Sequence, residues 1–292
     1  MTPDTFAGTY PAIVTPFHED GSIDFEGVRE EVRRLEAAGV DGIVACGSTG
    51  ESSTLSHDEH IEVIDAVVDE ADTPVIGGTG SNATREALSL SKRAADAGVD
   101  GLLLVSSYYN LPEPEGIDHF YRTIADEVDV PQIIYNVPGR TGTNIPVETT
   151  VELASHENIA GYKAASGDVA QISEVVEKTR DEEFTVLSGD DPVTIPAMSV
   201  GARGVISVAA NVAAEQVCGM VDAALDEDYA SAREIHHRLG PLFRGLFVET
   251  NPIPVKAAIE IQGIREATMR PPLTRLSDEH RADLEAILAD LV

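Results

Sequence analysis

The sequence has no tryptophan, two cysteines and four lysines among its 292 residues. The cysteines, Cys46 and Cys218, form no CxxC pair and are too few for a disulfide framework, so we expect ordinary buried thiols. No stretch has the apolar length of a membrane span, and the first ten residues lack the features of a signal peptide. These absences favour a soluble protein of the cytoplasm.

Positive charge is also scarce, since 20 Lys and Arg stand against 51 Asp and Glu, a formal net charge of −31. A surface this negative repels nucleic acid and anionic lipid, so we expect neither as a partner. The acidic residues alternate with periodic apolar residues, which favours a charged surface on a folded core over disorder. We expect stability and activity to rise with salt over the molar range, because salt screens the repulsion between carboxylates.

Short apolar runs alternate with amphipathic helical stretches along the first three quarters of the chain. Runs of consecutive apolar residues are typical of strands buried on both faces of a parallel sheet. Helices such as Asp58–Ala71 and Ala83–Ala97 are predicted to follow them. Eight strand–helix units predict an α/β fold of the (β/α)8 barrel type. The eight predicted strands are Tyr10–Phe17, Val40–Gly47, Pro74–Gly80, Val99–Ser107, Pro131–Val137, Ile159–Ser166, Phe184–Gly189 and Gly204–Asn211.

An internal repeat supports the barrel. AGVDGIV at Ala38–Val44 returns as AGVDGLL at Ala97–Leu103, and in each a glycine ends a helix and leads into an apolar strand. An open doubly wound sheet is the structural alternative. No GxGxxG or GxxxxGK follows any predicted strand, so the nucleotide-binding motifs usual in such sheets are missing.

After Asn211 the strand pattern stops and helical patterns continue to the end of the chain. Prolines, among them Pro241, Pro252 and Pro271, are predicted to separate these helices. The resulting division is a barrel over residues 1–225 and a C-terminal helical extension over residues 226–292. The predicted helices are Val212–Leu225, Tyr229–Leu246, Pro254–Gln262 and Asp278–Leu291.

In a barrel of this kind the active site lies where strands end, so reactive side chains there are candidates. Lys163 is the only lysine inside an apolar strand run. Burial disfavours the ammonium form and produces a neutral amine that can attack a ketone to make an imine. Position alone equally allows a lysine whose amine reaches solvent or pairs with a carboxylate.

Two other strand ends carry hydroxyls. GSTGE, Gly47–Glu51, places Ser48 and Thr49 between glycines whose N–H groups could approach a small anion, although this is also ordinary turn composition. Tyr135 ends an apolar strand, where a phenol can move a proton or simply pack in the core.

His57 and His60 stand three residues apart at a helix start, with Ser56 as the expected helix cap. This is metal-ligand spacing, but no third ligand motif accompanies it, so we expect no metal. No Gly-x-Ser-x-Gly motif occurs, which argues against a serine hydrolase.

Seven motifs occur together in the order and spacing of one superfamily, and they cover almost the whole chain. The sequence thereby resembles the dihydrodipicolinate synthase and N-acetylneuraminate lyase superfamily. YNVPGRTG resembles the synthase version, in which the arginine, here Arg140, receives the carboxylate of L-aspartate-4-semialdehyde. One departure is Ser48, because this position is usually threonine in the synthases and serine in the lyases. The motifs are GSTGE, YYN, YNVPGRTG, GYK, SGDD, GVISVAANV and FVETNPIPVK.

The resemblance implies a class I aldolase-type lyase of lysine and diaminopimelate biosynthesis, with Lys163 forming an imine with pyruvate. It implies a proton relay of Tyr135, Ser48 and, from a neighbouring subunit, Tyr109. Thr49 with loop N–H groups would hold the pyruvate carboxylate. No cofactor is implied, because the protonated imine is itself the electron sink.

The resemblance carries over further residues and an assembly. Gly189 and Ile206 are implied as substrate-binding residues. A homotetramer built as a dimer of dimers is implied, since the relay needs a second subunit. The residues that match the inhibitory lysine pocket of feedback-regulated relatives are His57, His60, Asn82, Glu86 and Tyr108.

Two rival functions remain open at this point. One is an aldolase for 2-keto-3-deoxy sugar acids or N-acetylneuraminate, which would keep Lys163 and Tyr135 but not need Arg140. The other is a non-catalytic sensor that binds a keto acid and signals through its oligomer.

Overall fold

A computed structural model describes residues 5–291 of the chain. Its eight strands are all parallel and lie in the order β1-β8-β7-β6-β5-β4-β3-β2. A backbone bridge between Ala12 and Val44 joins the two ends of this sheet. The predicted (β/α)8 barrel is therefore confirmed, and the open doubly wound sheet is excluded. The strands are β1 Gly8–Pro11, β2 Ile43–Ala45, β3 Val75–Gly78, β4 Gly101–Val105, β5 Gln132–Asn136, β6 Ile159–Ala164, β7 Thr185–Ser188 and β8 Gly204–Ser207.

Each strand is shorter than its apolar run predicted. The first run, Tyr10–Phe17, overlaps β1 only at its start, and Val208–Asn211 lies after β8. Ile13 and Val14 remain buried after β1 has ended. Apolar residues of the loops that follow the strands are thus buried too, and hydrophobicity alone cannot show where strand pairing stops.

Side chains along each strand alternate between two buried layers. Ile133 and Tyr135 of β5 belong to a cluster that fills the barrel, whereas Ile134 belongs to the larger cluster between the strands and the helices. Alternation follows from the two-residue period of a strand. A side chain that points inward at the carboxyl end of a strand therefore faces the barrel mouth.

The AGVDG repeat has the same structure in both copies. Gly39 and Gly98 end their helices with φ of 84° and 95°, in the left-handed region that favours glycine. The aspartate two residues later accepts a backbone N–H in each case: Asp41 from Thr9 at 2.7 Å and Asp100 from Val75 at 2.8 Å. The repeat therefore ends a helix and binds the neighbouring strand.

The predicted helices are confirmed to within one or two residues. Pro241 is a correction, because it lies inside α10 rather than between helices. No helix within residues 5–291 has the length and apolar content to cross a membrane. The division at residue 225 stays a prediction. The helices are α1 Phe25–Ala37, α2 His57–Glu70, α3 Thr84–Ala97, α4 Pro114–Ala125, α5 Pro138–Thr141, α6 Val147–Ala154, α7 Val169–Thr179, α8 Thr194–Ser199, α9 Ala210–Leu225, α10 Tyr229–Gly245, α11 Ile253–Ile261 and α12 Asp278–Ala289.

A buried ion pair joins the C-terminal helices to the loop after β2. The Nζ of Lys256, in α11, donates to Glu51 and lies 4.4 Å from the centroid of the Phe17 ring. The second Glu51 oxygen accepts the backbone N–H of Arg270 at 3.1 Å. Lys256 and Glu51 are both almost fully buried, and burial lowers the pKa of the lysine. Sequence patterns did not single out this lysine.

We expect Lys256→Met to destabilise the protein by about 3–5 kcal/mol, because it leaves Glu51 buried and unpaired. Adding Glu51→Gln should recover more than half of that loss by removing the charge. Lys178→Met is the matched control, since Lys178 is exposed and should matter little. Chemical denaturation measures all four proteins. A Lys256→Met variant as stable as the Lys178→Met variant would contradict this account of the pair.

Candidate active site

A cavity opens at the carboxyl ends of the strands, and most of the predicted catalytic and substrate-binding residues line it. Ser48 and Thr49 come from the loop after β2, Tyr135 from β5 and Lys163 from β6. Arg140 comes from α5, Gly189 and Asp190 follow β7, and Phe247 and Asn251 come from the segment between α10 and α11. Residues more than 200 positions apart in the chain therefore line the same cavity.

Lys163 is buried at the centre of this site. In the register of the sheet it stands beside Tyr135 on one side and Leu187 on the other. Its Nζ lies 4.1 Å from the centroid of the Tyr135 ring, and it forms no ion pair with any residue in the range 5–291. Burial lowers the pKa of Lys163 to about 8, against smaller opposing effects of the Asp190 and Asp191 carboxylates. Close to neutral pH a useful fraction of the amine is unprotonated and nucleophilic.

Gly189 leaves room for this lysine. A Cβ at residue 189 would stand 3.0 Å from Cε of Lys163 and 2.8 Å from Cβ of Ala165. The Gly189 N–H also donates to the Ala164 carbonyl at 2.6 Å. Any larger residue at position 189 would therefore clash with the Lys163 side chain. Glycine at this position leaves the space that the lysine needs.

The Ser48 side chain lies close enough to the Tyr135 phenol to lower its pKa slightly, and both residues line the cavity. Burial raises the pKa of the Tyr135 phenol to about 12, which the Arg140 guanidinium partly opposes. The phenol therefore stays protonated at neutral pH, close to the Lys163 amine and to a second hydroxyl. That arrangement suits a group that passes a proton on.

Thr49 and Arg140 share a partner that the sequence patterns did not single out. Asn251 donates its side-chain Nδ2 to Oγ1 of Thr49 at 2.9 Å. Its backbone carbonyl accepts from Nη2 of Arg140 at 3.0 Å. Asn251 is part of the FVETNPIPVK motif. Its partners Thr49 and Arg140 lie 202 and 111 residues away in the sequence, so no local pattern predicts these contacts.

Two carboxylates after β7, Asp190 and Asp191, also act on Lys163, although neither was predicted as a site residue. Asp190 lines the cavity, and burial raises its pKa. Asp191 accepts from Ser207 Oγ at 2.5 Å and from the backbone N–H groups of Val208 and Ala209 at 3.1 and 3.0 Å. Asp191 thus fixes the start of the segment after β8, while Asp190 keeps its carboxylate near Lys163.

Two predicted site residues do not line the cavity. Ile206 is buried in the cluster that fills the barrel below it. Tyr109 is 88% exposed, with φ of 67°, in the loop after β4. Within the single chain, Tyr109 therefore stands away from Tyr135 and Ser48.

Four of the five residues that match a lysine pocket line a second cavity beside the first. His57 Nε2 lies 2.7 Å from Glu86 Oε1, and Glu86 also accepts from Ser81. These hydrogen bonds, from Ser81 first, lower the pKa of Glu86. His60 is buried, with Nε2 2.7 Å from the Gly78 carbonyl, and its pKa is lowered by burial.

Tyr108 lines this second cavity, but Asn82 does not. The Asn82 Oδ1 is buried and lacks a hydrogen-bond partner among the described residues.

Ser56 caps α2 as predicted, in a capping box with Glu59. Within residues 5–291, His57 and His60 belong to no group of three or more His, Cys, Asp or Glu side chains arranged to hold a metal ion.

Comparisons with known proteins place this geometry in a family. The family model described as "Dihydrodipicolinate synthetase family" matches residues 5–291. The chain belongs to this family. A 4-hydroxy-tetrahydrodipicolinate synthase of the halophilic archaeon Haloarcula marismortui is 62% identical over the whole of this chain and 95% of its own length.

Two solved structures of the dihydrodipicolinate synthase family show how close the backbones are. The chloride-inhibited synthase of Acinetobacter baumannii, complexed with pyruvate, is 41% identical with a TM-score of 0.95 over 98% of each chain. The synthase of Cyanidioschyzon merolae with lysine bound is 36% identical with a TM-score of 0.94, also over 98% of each chain. The family resemblance read from the motifs is confirmed.

The Lys163 amine should control the pH dependence of imine formation. Because the neutral amine attacks, we expect the rate with pyruvate to rise about tenfold per pH unit below pH 8 and to level off above it. In Asp190→Asn the midpoint should move to lower pH, because Asp190 raises the lysine pKa. Rapid quenching with borohydride followed by intact-protein mass spectrometry measures the rate. A rate that still climbs steeply between about pH 9 and 10 would contradict the lowered pKa.

Proposed function

We propose that this chain condenses pyruvate with L-aspartate-4-semialdehyde through an imine on Lys163, the reaction of a 4-hydroxy-tetrahydrodipicolinate synthase. The observation that carries the proposal is a buried lysine of lowered pKa beside a protonated tyrosine, in a cavity that also holds a guanidinium. Membership of the family and the name of the 62% identical relative support the same reaction.

The first half of the reaction builds a nucleophile from pyruvate. The neutral Lys163 amine attacks the keto carbon, and loss of water from the carbinolamine gives a protonated imine. Thr49 and loop N–H groups hold the pyruvate carboxylate. The imine then gives up a proton from the pyruvate methyl group and becomes an enamine. Tyr135 and Ser48 carry the protons of these steps, which their positions beside Lys163 in the cavity support.

The second half joins the two substrates. The enamine carbon adds to the aldehyde carbon of the semialdehyde, whose carboxylate is held by Arg140. The α-amine of the semialdehyde then attacks the imine carbon, closes the ring and releases the Lys163 amine. The protonated imine accepts electrons when the methyl group is deprotonated and when the ring closes, and the enamine donates them to the aldehyde in between, so the route calls for no cofactor.

The presence of Arg140 in the cavity favours the synthase over the rival sugar acid aldolase, which has no semialdehyde carboxylate to bind. The same relative and family support the synthase, although Ser48 is the residue usual in lyases. The hydroxyls of Tyr135 and Ser48 near a nucleophilic amine also argue for catalysis rather than keto-acid sensing.

A coupled assay that consumes the cyclic product tests the proposed function. We expect turnover with pyruvate plus the semialdehyde and little with pyruvate plus glyceraldehyde. Arg140→Ala should lower kcat/KM for the semialdehyde about 100-fold and pyruvate imine formation much less, because its carboxylate partner belongs to the second substrate. Arg244→Ala, an arginine outside the cavity, is the matched control. Equal losses in both steps, or a preference for glyceraldehyde, would contradict the assignment.

We infer that Tyr109 completes the proton relay across a subunit interface. Its 88% exposure and its position outside its own chain's cavity support action in a neighbouring copy. Tyr108 and Leu111, in the same loop, are exposed as well, as an interface would require. A homotetramer and a cytoplasmic location stay predictions.

The second cavity supports a proposal for feedback inhibition by L-lysine. Glu86 offers a carboxylate to the α-ammonium group, and Tyr108 offers a hydrogen bond to the carboxylate. Asn82 follows Ser81, which lines this cavity, and its buried Oδ1 has no hydrogen-bond partner among the described residues. Tyr108 adjoins Tyr109, so a bound ligand has a physical route to the proposed relay.

We expect millimolar L-lysine to slow the wild-type enzyme in the coupled assay. Glu86→Ala should weaken calorimetric lysine binding at least about tenfold while leaving pyruvate imine formation intact, because the ammonium loses its anion. Asp58→Ala is the control, because Asp58 lies in the first turn of α2, next to His57, but outside the cavity. A wild-type enzyme that neither binds nor responds to lysine would make these residues structural.

A further inference from the structure

Asn251 lies where the two anion-binding groups of the site meet. It belongs to the segment that leads from α10 into α11, lines the cavity and is 6% exposed. It contacts Thr49 through its side chain and Arg140 through its backbone. No other described residue hydrogen-bonds to both.

The side-chain contact determines where the Thr49 hydroxyl can point its proton. A hydroxyl has one proton to donate and can accept at its oxygen. Because Nδ2 of Asn251 donates to Oγ1 of Thr49 at 2.9 Å, the threonine acts there as the acceptor. Its own proton is left for another acceptor, and Thr49 lines the cavity. A carboxylate bound there is a suitable acceptor.

The backbone contact determines how the Arg140 guanidinium is turned. A guanidinium carries five donors in one plane. Nη2 of Arg140 donates to the Asn251 carbonyl at 3.0 Å, which fixes that plane against the C-terminal segment. The remaining N–H groups are then available for a carboxylate in the forked, two-bond geometry.

We propose that Asn251 is a positioning residue that orients both carboxylate-binding groups, Thr49 through its side-chain amide and Arg140 through its backbone carbonyl. The proposal rests on the proposed function, in which Thr49 holds pyruvate and Arg140 holds the second substrate. Substitution can separate the two contacts, because replacing the side chain removes the contact with Thr49 but leaves the backbone carbonyl that contacts Arg140.

The amide itself is half unsatisfied. Oδ1 of Asn251 is buried and has no hydrogen-bond partner among the described residues. A side chain kept only to hold the fold together would be expected to use both ends of its amide. Donation to Thr49 is the contact that the amide does make, which is the half that the proposal uses.

The test compares Asn251→Ala with Asn251→Asp. Asn251→Ala should raise the pyruvate KM about tenfold and leave the semialdehyde KM within about twofold, because the carbonyl that holds Arg140 remains. Asn251→Asp should raise the pyruvate KM about 100-fold, because a carboxylate would take the Thr49 proton and repel pyruvate. A purely structural role predicts the opposite order, since aspartate has nearly the shape of asparagine.

A Thr49→Val background isolates the coupling. In that background Asn251→Ala should add less than about twofold to the pyruvate KM, because the hydroxyl that it orients is absent. Gln262→Ala is the matched control, since that amide donates to the Val212 carbonyl away from the cavity and should leave both KM values unchanged. Melting temperatures are recorded for all variants. If Asn251→Ala unfolds at the assay temperature, Asn251→Asp carries the test, since its effect on the pyruvate KM should shrink in the Thr49→Val background and an unchanged effect would overturn the proposal.

The outcomes separate this inference from the proposed function. Wild-type turnover with additive Thr49 and Asn251 effects, or with Asn251→Asp milder than Asn251→Ala, would overturn the positioning role alone. If the wild type lacks synthase turnover, the proposed function fails, and the pyruvate dependence of borohydride trapping still ranks the variants. If Asn251→Asp weakens the pyruvate dependence of trapping more than Asn251→Ala does, the role of the Asn251 side chain is supported. The reverse order would overturn it.

Discussion

An amine held out of water is the constraint on which the site depends. Lowering the pKa of Lys163 from 10.5 to about 8 corresponds to about 3 kcal/mol against the ammonium form. This destabilisation is fully present below about pH 8, where the folded and unfolded amines are both protonated, and it fades as the pH rises toward 10.5. The rest of the fold must supply that free energy, and the extensive buried layers on both faces of the barrel strands do so.

The neighbours of Lys163 limit the free energy lost by burying the amine, yet they leave its pKa low enough for nucleophilic attack. Gly189, just after β7, leaves room for the lysine side chain, and Tyr135 offers the face of its ring instead of a counter-ion. Asp190 and Asp191 raise the lysine pKa, but burial outweighs them. A direct carboxylate partner would hold the amine protonated and stop the nucleophilic step.

Three cations from the C-terminal part of the chain pair with carboxylates of the barrel. Lys256 pairs with Glu51, Arg270 with Glu59, and Arg265 with Asp24 at the start of α1. The loop that carries Ser48 and Thr49 is therefore held by residues more than 200 positions away. The extension stabilises the site rather than merely following the barrel, and Asn251 enters the cavity from the same direction.

The sequence allowed the barrel, its helices and the central site residues to be predicted, because those depend on local patterns. Apolar strand runs located Lys163 and Tyr135, and the glycine repeats located two strand starts. Asn251 and the Lys256–Glu51 pair were missed, since their partners are distant in the chain and appear only once it has folded. The actual strand ends were also missed, because buried loop residues such as Ile13 continue the apolar pattern.

Borohydride reduction in the presence of pyruvate, followed by mass spectrometry of a digest, tests the central claim most directly. The account predicts one covalent adduct, on Lys163, with none on Lys92, Lys178 or Lys256. The buried Lys256 is the informative comparison, because it is paired with Glu51 and should stay unmodified. An adduct on any of those three lysines, or none at all, would contradict the account.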